Sequence, residues 1–129
     1  MSSTNTPAQG DANTAAGEVA AGEGVVSLRT LGDRMLDEAR AAHSGRAGRT
    51  VIALPGLRTT LLALAAGSEL AEHQAPGSAT LACLSGEVTL ATSEREWRLR
   101  ADDAVAIPEQ RHRLLAEADA LVLLTVRLD

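Results

Sequence analysis

The chain has 129 residues, 45% of them apolar, a formal net charge of −5 and no Lys, Tyr or Phe, so its twelve basic residues are all Arg. At about 100–200 residues per domain this is one domain with enough apolar material for a core. The missing residue types exclude a Schiff base or P-loop lysine and a phenolic acid or base, and the acidic balance argues against a nucleic-acid backbone as partner.

Residues 1–24 are rich in Ser, Thr, Ala and Gly, contain Asp11, Glu18 and Glu23, and have no base. With Val19 as the one large apolar residue after Met1, the segment cannot offset its ordering entropy by burial and reads as a disordered tail. Residues 25–48 read as a helix and linker. Leu28, Leu31, Met35, Ala39 and Ala42 recur at three- and four-residue steps, so 27–43 is predicted as an amphipathic helix with Ser27 as N-cap and Gly45 as its stop. Gly32 costs this helix about 1 kcal/mol relative to Ala. His43 falls at its end, where a surface role near the C-terminal carbonyls is expected.

From residue 49 to 129 the periodicity changes. Short runs that alternate or are continuously apolar are separated by turn residues at Pro55-Gly56, Gly67-Ser68, Pro76-Gly77, Ser85-Gly86, Ser93-Glu94, Asp102-Asp103 and Pro108. Strands are predicted near 50–54, 57–65, 69–73, 79–84, 87–92, 95–100, 104–107, 112–116 and 120–127. No crossover helix fits between them, which leaves an antiparallel sandwich or barrel. The last run is apolar on both faces and is expected to be a central strand.

Cys83 is the single cysteine, so no intrachain disulfide can form, which suits a reducing compartment. No apolar stretch of signal-peptide length follows the N-terminus. The longest apolar runs, Leu61–Ala66 and Ala120–Leu124, fall far short of the about 20 residues that span a bilayer. The expectation is a soluble cytoplasmic protein that binds neither membrane nor nucleic acid; one Trp cannot build a base-stacking platform.

The stretch Gly67-Ser-Glu-Leu-Ala-Glu-His-Gln-Ala-Pro-Gly-Ser-Ala-Thr-Leu-Ala-Cys-Leu-Ser-Gly-Glu-Val88 resembles the first conserved motif of the cupin superfamily. Leu99-Arg-Ala-Asp-Asp-Ala-Val-Ala-Ile-Pro-Glu-Gln-Arg-His112 resembles the second. The resemblance spans roughly residues 50–127. It implies an all-β cupin-like jelly-roll barrel preceded by the amphipathic helix, with a homodimer as the usual assembly. Cupins commonly hold a divalent transition metal through His-x-His, a Glu four residues on and a later His. His73 matches the first of these ligands and His112 the last, whereas Ala75 and Ala79 stand where the second His and the Glu would be. Asp102 replaces the usual glycine before the second motif, and the Pro108-to-His112 spacing is one residue short of the common form.

The resemblance therefore implies a degenerate two-histidine site. Two imidazoles suit Zn, Fe, Ni or Cu, but three protein ligands are the usual minimum for retention. Period two back from Cys83 puts Ala79, Leu81 and Cys83 on one interior face, so Cys83 is a candidate third ligand as well as a candidate core residue. Gln74, Leu81, Cys83 and Trp97 are the candidate ligand-binding residues; Trp97 with Leu99 is also a packing pattern. Leu62, Leu64, Leu81 and Leu114 are expected to line an aliphatic cavity that takes a small molecule. Arg58, Arg98, Arg100, Arg111 and Arg113 are candidates for an anion, against a solvated sheet face. Asp102 and Asp103 are expected to bond turn backbone. The functional expectation is a cupin that binds or senses a small molecule, the alternative a metal-dependent oxygenase or isomerase using His73 and His112.

Overall fold

The computed structural model describes residues 24–73 and 77–128. The predicted tail therefore lies outside the described residues except for Gly24. The chain runs from helix α1 (Leu28–Ala41) through nine strands: β1 (Arg46–Leu54), β2 (Leu57–Leu64), β3 (Glu69–His73), β4 (Ala79–Ser85), β5 (Glu87–Ala91), β6 (Glu96–Arg100), β7 (Ala104–Ala106), β8 (His112–Ala116) and β9 (Ala120–Arg127). Each predicted element is present. The largest boundary difference is β1, which starts at Arg46 and not near residue 50 because Arg46 to Thr50 pair with Leu64 to Thr60.

The strands form two facing antiparallel sheets, one ordered β1-β2-β9-β4-β7 and the other β3-β8-β5-β6. This is the jelly-roll arrangement as two packed sheets and not a single closed barrel. β9 is the middle strand of the larger sheet, as its two-sided apolar sequence requires. Its even positions Ala120 and Val122 enter the core between the sheets, and Leu121 packs under the helix.

The inter-sheet core contains Leu64, Leu81, Cys83, Val88, Leu90, Leu99, Leu114, Ala116, Ala120 and Val122. A second core lies on the outer face of the larger sheet. There Met35, Leu36 and Ala39 of α1 cover Val51, Leu61, Ala63 and Leu121. Met35 and Leu61 are fully buried, and burying a side chain of that size stabilises the fold by about 1.5–3 kcal/mol. Ser27 occupies the N-cap, but its hydroxyl bonds Thr30 Oγ1 at 3.0 Å and not a helix N–H. Arg40 Nε donates to Asp119 Oδ2 at 2.8 Å, and Ala66 N–H donates to Asp119 Oδ1 at 2.8 Å, which pins the helix end to two inter-strand connections.

Three β-bulges adjust the ladders. One extra residue in β1, Val51, and one in β4, Leu84, break the pairing, and both side chains join the helix-side core. The third is in β3, between Leu70 and His73. In the turn after β4, Gly86 has φ +82°, and a Cβ there would strike Asp119 O and the Ala120 backbone, so only glycine fits. Asp102, also in a turn, has φ +77°; the residue standing where cupins carry glycine keeps the glycine-type backbone, which Asp tolerates better than most.

Candidate functional site

The two candidate metal histidines lie on neighbouring strands of the smaller sheet. His73 ends β3, His112 begins β8, and the two are register partners. The bulge in β3 creates this pairing. Leu70 opposes Leu114, so an unbroken ladder would carry Glu72 to the place opposite His112; the inserted residue brings His73 there.

His112 is 3% exposed. Its Nδ1 lies 2.9 Å from Gln110 O. A carbonyl oxygen can only accept, so Nδ1 carries the proton and Nε2 is the acceptor nitrogen of the neutral ring. Leu114 and Ala116 continue the His112 face of β8 into the inter-sheet core.

That core is graded from one end to the other. On β2 the inward series runs from buried Leu64 through half-buried Leu62 and Thr60 to exposed Arg58. On β9 buried Ala120 and Val122 give way to half-buried Leu124 and Val126, and on β6 buried Leu99 gives way to half-buried Trp97. The interior is closed at the Ala120 end and opens at the His112 end. The apolar side chains packed against the core near the opening include Leu62, Leu70, Trp97, Val105, Ile107 and Leu124.

The other sequence candidates divide. Leu81 is 2% exposed on the inner face of β4. Trp97 borders the core, and the Arg95 guanidinium carbon sits 4.9 Å from its ring centroid. Gln74 lies outside the described residues. Cys83 shares the inner face with Ala79 and Leu81 but sits toward the closed end: Cys83 pairs with Val122, whereas Ala79 pairs with Val126. Its thiol points to Ser85 O at 3.4 Å, and burial pushes the thiol pKa up, with smaller contributions from Asp103, Asp102 and Glu87. Asp103 Oδ2 accepts the Arg100 N–H at 2.9 Å, a turn role. Arg98 and Arg100 pair with Glu87 at 3.2 and 3.7 Å, and Arg113 pairs with Glu69 at 3.3 Å, all on the outer face. The notable residue that sequence reasoning passed over is Arg95; its position two before Trp97 placed it on the same face, and that spacing was the available signal.

Among the described residues no three His, Cys, Asp or Glu side chains cluster so as to hold an ion. Ala79, at the position implied for a glutamate ligand, is an apolar residue 7% exposed. Of the four ligand positions the motif implies, the chain keeps two, His73 and His112.

Two facing antiparallel sheets with the motif histidines paired in register define a cupin jelly roll, and solved structures bear this out. The chain has the fold of the small cupins. It aligns with a conserved protein of unknown function from Streptococcus pyogenes at TM-score 0.61 and 25% identity, covering 68% of this chain and 78% of that one. A cupin superfamily protein from Desulfitobacterium hafniense aligns at TM-score 0.61 and 16% identity, covering 65% and 78%. Salicylate 1,2-dioxygenase from Pseudoaminobacter salicylatoxidans (G106A mutant) aligns at TM-score 0.63 and 21% identity over 74% of this chain but 32% of that longer protein. No family model matches the chain, and no curated protein does. Among the described residues no helix is long and apolar enough to cross a membrane.

Proposed function

We propose that this protein binds a small molecule between its two sheets, entering at the end where His73 and His112 are paired, and that it does so without a resident metal. The observation that carries this reading is the gradient of the interior: the same inward series that is sealed at Ala120 and Leu64 is half-open at Leu124, Leu62 and Trp97. An apolar interior that loosens toward one end, with a few polar groups at that edge, suits a small ligand with an apolar body. His112, buried and with Nδ1 committed to Gln110 O, contributes an oriented imidazole to the mouth.

Trp97 supplies the readout, because it is the sole Phe, Tyr or Trp of the chain. Protein prepared without a nickel column is analysed for Zn, Fe, Ni and Cu, and small apolar molecules are then titrated while Trp97 emission is followed. The expected result is metal far below stoichiometric, a thermal midpoint indifferent to chelator, and saturable emission changes. Near-stoichiometric metal lost in both His73→Ala and His112→Ala would replace this reading with that of a metal-dependent enzyme.

A further inference from the structure

We infer that the molecule taken at the open end is an apolar carboxylate, with Arg95 and Arg58 as the groups that hold its charge. This inference rests on the binding reading above and names the ligand class. The arginines of the chain sort by face. Arg98, Arg100 and Arg113 lie on the outer face of the smaller sheet and are matched to Glu87 and Glu69. Arg58 and Arg95 fall on the inward series. Arg58 is in step with Leu62 and Leu64 along β2, a strand whose pairing with β9 has no register break. Arg95 is in step with Trp97 and Leu99 and lies over the Trp97 ring.

Both stand at the open end. Arg58 pairs with Val126, which also pairs with Ala79, the first residue of β4 after the connection from His73. Arg95 closes the hairpin with Thr92, one residue beyond the Ala91 that pairs with Arg113, next to His112. One guanidinium thus comes from each sheet. Among the described residues neither meets a carboxylate or carbonyl acceptor. The other charged side chains on the loops of this end are Glu94, Glu109 and Arg111; Glu94 Oε1 accepts the Gln110 amide at 3.3 Å. The chain carries net charge −5, yet these two guanidinium groups, neither matched to a carboxylate among the described residues, stand at the rim of its apolar interior. A planar guanidinium matches a carboxylate through paired N–H donors, and stacking on Trp97 fixes the plane of one of them in advance. The aliphatic interior would take the apolar body of the same ligand.

The test titrates sodium hexanoate, 1-hexanol and hexylamine at low salt, reading Trp97 emission and confirming by calorimetry. Hexanoate is expected to bind about tenfold tighter than hexanol, hexylamine weakest, and the preference for hexanoate should shrink as salt is raised. In Arg95→Gln and in Arg58→Gln the gap between hexanoate and hexanol should narrow, with hexanol unchanged and the thermal midpoint retained, while Arg98→Gln behaves as the parent. Hexanol binding as tightly as hexanoate, or both rim variants keeping the parent's preference, would overturn the carboxylate assignment and leave small-molecule binding standing. No binding of any of the three would overturn both.

Discussion

Gly32 on α1 faces Leu121 on β9 so closely that a Cβ at position 32 would lie 2.5 Å from Leu121 Cδ1 and 3.0 Å from Cδ2. The glycine that weakens the helix in isolation is the residue that lets the helix seat on the sheet. Ala at this position gains about 1 kcal/mol of helix propensity, but overpacking a sealed site costs about 1–3 kcal/mol. Leu121 is fully buried, with little room to turn aside. Gly32→Ala is therefore expected to lower the urea midpoint. Adding Leu121→Ala should make the alanine at 32 less costly than it is alone, a coupling that a double-mutant cycle measures. A raised midpoint for Gly32→Ala alone would show that propensity outweighs the contact.

Asp119 gives the fold a pH dependence. The Ala66 N–H, and after it the Arg40 guanidinium, hold its carboxyl below the ordinary carboxylate range. A group with a depressed folded pKa contributes stability that is fully present above its unfolded pKa, near 4, and is lost as pH falls through the folded value. Asp119→Ala removes the acceptor for Ala66 N–H and should cost about 1 kcal/mol at pH 7. Denaturant curves at descending pH should bring variant and parent together below pH 4. A gap that stayed constant to pH 2 would assign the loss to packing.

The Cys83 thiol is fully buried, and burial raises its pKa, so the reactive thiolate is scarce as well as inaccessible. A disulfide reagent at pH 8 should leave the native protein unmodified over the time in which it titrates the unfolded chain to completion. Fast labelling without unfolding would place Cys83 within reach of the open end and restore it as a ligand-binding candidate.

For His112, the bond to Gln110 O sets the tautomer. Long-range nitrogen–proton correlation spectra above pH 8 should show Nδ1 protonated and Nε2 bare at His112. His43, exposed beyond the end of α1, should show the Nε2-protonated form that dominates free imidazole side chains in water. The reverse pattern at His112 would remove the oriented acceptor from the mouth.

Much of this architecture was legible in local sequence. Period-two alternation and turn residues located every strand, because pleat and turn chemistry act over two to four residues. The two-sided apolar run Ala120–Arg127 announced a strand covered on both faces, and it is the centre of the larger sheet. The motif resemblance singled out His73 and His112. Tertiary structure decided the rest. It put one extra residue into β3, and so made His73 and not Glu72 the partner of His112. It turned Arg98, Arg100 and Arg113 outward to carboxylates, and left Arg58 in step with the inward residues of β2 and Arg95 over the Trp97 ring. Cys83, on the expected face, was set at the sealed end of the interior. Each of these depends on pairing between strands far apart in the chain. A ladder's register belongs to two strands at once, and no window along one of them contains it.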